Sequence, residues 1–396
     1  MKNNTLFTLL LSVFIAFLGI GIIVPIMPVF ATELGAGGLA LGMIIAAFSL
    51  TRGILLPIVG NLSDKWGRKN FLASGLFIYG LVGLLIPMAG NVEQLITIRS
   101  FHGMGSAMIV PIAMAYLSLL SPSGQEGRYM SYLNIAIFCG IGCGPIIGGL
   151  IYDAFNFAAV FHLMAIMSFL ALILVLSYMP AHVASTTQRP LGILQSFKKM
   201  AGRLKTKGIL LARFGTMIVM VPTMAFLPLI MSEWQETSGV QIGIVIAART
   251  LINALLQVPF GKLADKYNKL IIFVVSSSCL ALTIFWIPWM DNFTEMLILY
   301  LFIGAEEAAV WAVLGAYASI EAKHHYGHGT MMGMFSLAMS VGVFAGAVLS
   351  GITMDIWGTV AAYAVASAAV LLISIIAVIM IHNHNIRTIR QEPVPK

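Results

Sequence analysis

Glu306 and Glu307 stand side by side in the apolar stretch Phe302-Ile303-Gly304-Ala305-Glu306-Glu307-Ala308-Ala309. On a helix that enters the membrane near Thr294, Glu306 is about twelve residues in, or roughly 18 Å along the axis. Burial at that depth disfavours a charged carboxylate, so such a group can take up a proton and release it when a cation or a substrate approaches. Two adjacent residues cannot share one helix face. One should line an interior cavity, and the other should point toward a neighbouring helix or a polar partner. Arg249 lies at similar depth in its own apolar stretch, and pairing it with Glu306 or Glu307 would offset the desolvation of both charges.

Arg99, in Ile98-Arg99-Ser100-Phe101-His102-Gly103-Met104-Gly105-Ser106-Ala107, is a further charge at membrane depth. A charge there costs at least about 2.5 kcal/mol unless it faces a wet cavity or a partner. His102 follows at i+3 on the same face and is a candidate to assist proton movement. Arg52, nearer the inner end of its stretch, reads as an extra cation for the turn that follows. Trp311, one turn beyond Glu307, is placed to stack on a planar ligand. The Cys139/Cys143 pair reads as small-residue packing and His324-His325-Tyr326-Gly327-His328 as a solvated loop, so no metal site is expected. No glycine-rich phosphate loop with its lysine is found, which argues against ATP as an energy source. No cofactor and no enzymatic reaction are expected.

The elements that hold these residues must sit in lipid. Hydrophobic residues make up 59% of the chain and charged residues 9%, against roughly 25% charged in a soluble domain. The 396 residues, at roughly 20 to 25 per span, leave room for about twelve helices. The expected spans are 6–30, 38–60, 70–89, 94–120, 129–153, 157–179, 208–232, 238–260, 270–289, 294–318, 330–354 and 358–382. These runs are continuous and rich in Leu, Ile, Ala and Met, unlike the alternating strands of a membrane barrel. The fold class is therefore all-α integral membrane. The run from Leu6 to Ala31 is too long for a signal-peptide core and lacks a small-x-small cleavage site, so it reads as a retained first span.

Arg52, Arg99 and Arg249 are the cations read as intramembrane. The rest, among them Lys65, Arg68, Lys69, Arg128, the run Lys198 to Lys207, Lys262, Lys266, Lys269 and Lys323, sort to the turns after even-numbered spans and to the termini. The opposite loops hold Glu33, Glu93, Glu233, Glu236, Asp291 and Glu295. By the positive-inside rule both termini are cytoplasmic. The net charge of +7 is thus a topology signal set against the lipid bilayer, and no nucleic-acid partner is expected.

The chain also repeats itself. Gly60-Asn61-Leu62-Ser63-Asp64-Lys65-Trp66 is answered by Gly261-Lys262-Leu263-Ala264-Asp265-Lys266-Tyr267, Phe101-His102-Gly103 by Phe302-Ile303-Gly304, and Tyr152-Asp153-Ala154-Phe155 by Met354-Asp355-Ile356-Trp357. Duplication of an apolar unit at roughly this spacing predicts two six-helix lobes with a substrate site between them near the bilayer midplane. The expected division is a lobe over 1–180, a cytoplasmic linker over 181–207 with a basic interfacial helix, and a second lobe with a short tail over 208–396.

Gly60-Asn61-Leu62-Ser63-Asp64-Lys65-Trp66-Gly67-Arg68-Lys69 resembles the signature cytoplasmic turn of the major facilitator superfamily. The resemblance implies that Gly60, Asp64, Gly67, Arg68 and Lys69 form a conformational latch, with Asp265 in a second copy weakened by Tyr267 and Asn268. Gly140-Ile141-Gly142-Cys143-Gly144-Pro145-Ile146-Ile147-Gly148-Gly149 resembles the antiporter motif of the drug:proton antiporter branch. Its Gly140, Gly144 and Gly148 share one face for close helix packing, Pro145 should kink the span, and Gly149 ends the motif.

Phe17-Leu18-Gly19-Ile20-Gly21-Ile22-Ile23-Val24-Pro25-Ile26-Met27-Pro28 is also similar to multidrug, quinolone and tetracycline exporters of that branch. The resemblance makes Glu306 the first choice for proton carrier, with Glu307, Arg99 and Arg249 in the coupling set, because relatives carry an acid aligned with Glu306. Trp311, His102 and Met224 are the candidate cavity residues, in a wall softened by 24 methionines and 23 phenylalanines. Ala16 and Met224 stand where relatives carry acids, which favours one proton per cycle. The implied activity is proton-coupled export of amphipathic, neutral or monocationic, drug-like molecules by alternating access, by a monomer in a bacterial inner membrane. The alternatives are an endogenous sugar, lipid or metabolite as cargo, or a membrane sensor that does not transport.

Overall fold

The computed structural model describes residues 2–120, 126–180, 198, 200, 202–234, 237–326 and 328–391. Most of the expected linker, and with it the interfacial helix, lies outside them. Among the described residues, eleven helices are long and apolar enough to cross a membrane, from Asn4–Glu33 to Met331–His384. The last has 54 residues, about 80 Å at helical rise, well over twice the hydrocarbon thickness. It is two spans, because Gly358 within it adopts φ 83° and ψ 178°, a conformation that L side chains rarely reach. Twelve spans result, in two six-helix lobes, as the apolar pattern predicts.

Span 4 is interrupted between Val92–Ala107 and Val110–Leu120. Span 7 runs Leu204–Met217, then a π turn at Pro222–Phe226, then Leu227–Ser232. Pro222 has no N–H, so the regular hydrogen-bond ladder cannot continue through it.

Helix termini inside or near lipid need partners for their free N–H groups. One end of the bundle carries the acidic loops and the other the basic turns. At the acidic end, spans 4, 6, 8 and 10 are capped locally by the side chains of Asn91, Asn156, Ser238 and Asn292. Span 2 starts at Gly37, which offers no side chain. Asp355 of span 11 caps it instead, accepting hydrogen bonds from the Gly38 and Leu39 N–H groups at 2.5 and 2.9 Å. Asp153 of span 5 likewise accepts from Gly239 and Val240 at the start of span 8, both at 3.0 Å. The repeated Asp153 and Asp355 therefore seal the two lobes together at the acidic end.

The seam continues inward where small residues let backbones meet, Gly243 against the Pro145 carbonyl and Gly42 against that of Ala347. Toward the basic end, Leu255 and Val258 of span 8 are 71% and 66% exposed, and among the described residues a Cβ built on Gly261, Gly315 or Gly333 meets nothing within 4 Å.

Within the first lobe, a Cβ on Gly140, Gly144 or Gly148 would sit 2.7 Å from span 1, against the Phe14 carbonyl, the Gly21 backbone and the Ile22 carbonyl. Gly149 instead faces Gly239 across the lobe seam. Span 5 is one helix, Glu126–Ala154, running through Pro145. At the basic end, Gly67 separates spans 2 and 3 with φ 93°, and Lys69 Nζ donates to the Leu176 carbonyl at 2.7 Å, a cation on the last turn of span 6. The side chain of Asp64 lies outside the described residues, as does the packing around Gly60. Asp265 is exposed and has no ion pair among the described residues.

Candidate functional site

The second lobe holds a compact polar centre. Arg249 of span 8 meets Glu307 of span 10 in a two-pronged pair, Nε to Oε2 at 2.9 Å and Nη2 to Oε1 at 2.5 Å. Both residues are 4% exposed. The third guanidinium nitrogen, Nη1, donates to Thr223 Oγ1 at 2.7 Å, and that hydroxyl donates to the Val219 carbonyl at 2.6 Å. The π turn exposes backbone carbonyls here, and two buried tyrosines take them: Tyr300 Oη donates to the Thr223 carbonyl at 2.8 Å and Tyr363 Oη to the Pro222 carbonyl at 2.7 Å. Spans 7, 8, 10 and 12 are thus tied through one ion pair whose two charges cancel. A buried pair keeps its charges only with such satisfied geometry.

Glu306 goes elsewhere. Its Oε1 accepts from Thr283 Oγ1 of span 9 at 2.9 Å, while Oε2 is buried with no hydrogen-bond partner. The adjacent carboxylates divide as helix geometry requires, with Glu307 meeting the arginine and Glu306 turned to a peripheral helix.

The first lobe has a different centre. Arg99 of span 4 is 6% exposed; its Nη1 donates to His102 Nδ1 at 2.7 Å and its guanidinium lies 4.7 Å from the centre of the Phe48 ring. Arginine can only donate, so Nδ1 is the acceptor and the imidazole proton sits on Nε2, which is buried without a partner. His102 is fully buried, edge-on to Phe48 and Tyr79 with ring centres 5.0 and 4.4 Å away. It orients Arg99 and is not part of the cavity wall, contrary to the sequence expectation. Arg52, expected to serve the following turn, instead lines the cavity, and its Nε is buried without a hydrogen-bond partner.

A cavity of about 210 Å³ lies between the two centres. Phe48, Arg52 and Arg99 line it from the first lobe, and Met224, Trp311 and Met339 from the second. Trp311 and Met224 thus occupy the wall as read from sequence. No carboxylate lines the cavity among the described residues.

Arg213 corrects the count of intramembrane cations. It falls inside the span 7 helix Leu204–Met217 and is 7% exposed. Its guanidinium sits 4.9 Å from both the Trp311 and Phe335 ring centres, with Nη2 3.2 Å from Met339 Sδ. It lies within the expected span 208–232 and belongs with Arg52, Arg99 and Arg249 in that count; the aromatic sandwich that holds it is assembled by tertiary structure. One face of Trp311 is therefore already covered. Glu321, near the basic end of span 10, is another buried carboxylate, meeting Arg203 at 3.5 Å and Lys205 at 3.4 Å. Thr223, Tyr300 and Tyr363 were also not singled out from sequence; Pro222 was the one local signal that a helix carbonyl there would need an outside donor.

A family model described as Major Facilitator Superfamily matches residues 9–232 and 208–396. An uncharacterized MFS-type transporter of Methanocaldococcus jannaschii is 28% identical over 388 residues, covering 96% of this chain and 99% of that protein. The quinolone resistance protein NorA of Staphylococcus aureus is 27% identical over 365 residues, covering 89% of this chain and 91% of that protein. Among solved structures, the bacterial homologue of the human lysosomal transporter Spinster, inward-facing and unoccupied, superposes with a TM-score of 0.78 at 13% identity, covering 100% of this chain and 99% of that one. That likeness is one of fold.

Proposed function

Because this chain belongs to the major facilitator superfamily, we propose that it is a proton-coupled secondary transporter that exports amphipathic, drug-like small molecules by alternating access. The Arg249–Glu307 pair is the observation that carries the reading. Protonating Glu307 removes one of two cancelling charges and leaves Arg249 buried with a neutral partner. That change is felt at once in spans 7, 8, 10 and 12, which the pair, Thr223 and the two tyrosines join. A local charge event then biases a whole lobe between two arrangements. Glu307 takes precedence over Glu306 as proton carrier, because Glu306 is held by Thr283 away from the arginine.

With the acidic end outside, the sealed seam at Asp153 and Asp355 and the exposed span 8 residues toward the basic end support a state that loads from the cytoplasm. The latch residues Gly60, Asp64, Gly67, Arg68, Lys69 and Asp265 lie at the end that must close when the lobes rock. The likeness to a quinolone resistance protein supports drug-like cargo and export from a bacterial cytoplasmic membrane.

The test is reconstitution in liposomes with a trapped pH dye, adding drug panels to wild type and Glu307→Gln. Proton movement evoked by a drug and lost in the variant supports the reading. Movement evoked only by a cell metabolite extract transfers the cargo to a physiological compound. No evoked movement from either source rejects proton-coupled transport.

A further inference from the structure

The formal charges around the central cavity do not cancel. In the second lobe Arg249 is neutralised by Glu307, and Glu306 faces Thr283. Arg52 and Arg99 line the other wall, and neither forms an ion pair among the described residues. Arg213 stands behind Trp311 and Met339, also without an ion pair among the described residues. The wall itself contains no carboxylate among those residues. Uncompensated guanidinium groups at membrane depth are unfavourable, and two of them here have donors with nothing to donate to, Arg52 Nε and Arg213 Nε.

We propose that the cavity binds an amphipathic monoanion whose carboxylate, sulfonate or phosphate head is held by Arg52 and Arg99. A guanidinium presents a planar fork of donors that matches such an oxyanion, and the match is better than for any neutral head group. Arg99 is held by His102 at Nη1, by the Ile44 carbonyl 3.4 Å from Nε and by the Phe48 ring, which leaves Nη2 without a hydrogen bond among the described residues to meet the head. The remaining lining, including Phe17, Met27, Met220 and Met224, is apolar and accepts the rest of the molecule. Arg213 adds attraction from beneath Trp311 without touching the head. A monocation, one of the cargoes expected from sequence alone, would meet net repulsion in the same place.

The inference rests on the transporter reading only in taking this cavity as the ligand site. It also sets the charge balance of a cycle. One proton entering for each monoanion leaving moves two positive charges inward, so an inside-negative membrane potential drives both.

The test is binding to the full-length protein in nanodiscs, with no pH gradient, so that loss of coupling cannot mask the result. The probes are 1-anilinonaphthalene-8-sulfonate, its uncharged counterpart N-phenyl-1-naphthylamine, and the cation rhodamine 6G. The expected result is at least tenfold tighter binding of the sulfonate than of the neutral probe. Arg52→Gln/Arg99→Gln should erase that preference, and continued binding of the neutral probe reports an intact cavity. Arg52→Lys, which keeps the charge and loses the fork, should retain part of the preference and cover the case where the double variant does not fold. Equal affinity for sulfonate and neutral probe, tighter binding of rhodamine 6G, or a preference unchanged in Arg52→Gln would each overturn the proposal. Proton-coupled export of a neutral drug alongside such a result would leave the transporter reading intact.

Discussion

The two lobes share a scaffold and differ in how they treat buried charge. At the spacing of the internal repeat, Phe48 corresponds to Arg249 and Arg99 to Tyr300, so cation and aromatic have exchanged helices between the halves. Arg52 corresponds to Asn253, whose side chain accepts a hydrogen bond from Gln257 at 3.0 Å. Ser106 corresponds to Glu307, the acid that neutralises the second lobe's arginine. The first lobe thus keeps Arg52 and Arg99 at the cavity wall without an acid, whereas the second pairs Arg249 with Glu307 and holds Arg213 and Glu306 apart from that pair. Duplication preserves what closes the bundle, such as Asp153 and Asp355, while the buried charges of the two interiors have diverged.

The largest effect that separates the halves is on stability. Arg249→Met should strand Glu307 and destabilise the protein by about 3–5 kcal/mol, and Arg249→Met/Glu307→Leu should recover most of it. Thermal unfolding in detergent checks this. Arg52→Met, in the first lobe, removes a charge that has no acid and should leave the midpoint unchanged or raised. A loss there equal to that of Arg249→Met would erase the contrast.

Packing should follow next. Gly144 lies against the Gly21 backbone, where a Cβ would be 2.7 Å away, so Gly144→Ala should cost about 1–3 kcal/mol by overpacking. Gly261→Ala, at a position with nothing within 4 Å, should be silent in the same unfolding assay.

A smaller shift is expected at the acidic-end seal. Asp153→Ala and Asp355→Ala each remove a helix cap, worth about 1 kcal/mol, or roughly fivefold in the balance of states. Spin-label distances across that end should lengthen in both variants, and to a similar extent, because the caps are counterparts. A response in only one would mean that the seal is not symmetric. Glu306→Gln should matter least, since the amide nitrogen or oxygen can still meet Thr283. Its unfolding midpoint should stay within a degree or two of wild type.

Much of the fold was legible because its determinants are local. A span is long and apolar, and the repeat is written in short turns of small and charged residues around Asp64 and Asp265. The last helix shows the same rule from the other side, since its length alone demands two spans. Pairing of Arg249 with one of two glutamates was also readable, because depth along a helix is countable. What was not readable depends on which helices become neighbours. Glu306 ranked first by alignment, yet rotation of span 10 turns it to Thr283 and turns Glu307 to Arg249. His102 looked like a cavity residue and is fully buried behind Arg99. Arg213 falls inside the expected span 208–232, but the Trp311 and Phe335 rings that hold it lie far away in sequence and could not be read from it.

In the proposed cycle Glu307 carries the proton and releases or takes it up when ligand binds. Infrared difference spectroscopy of the reconstituted protein, on adding a transported compound at constant pH, reads protonated carboxyl groups directly. A carboxyl C=O band should change on ligand addition in wild type and in Glu306→Gln and be absent from Glu307→Gln. A band that survives in Glu307→Gln and vanishes in Glu306→Gln would contradict it.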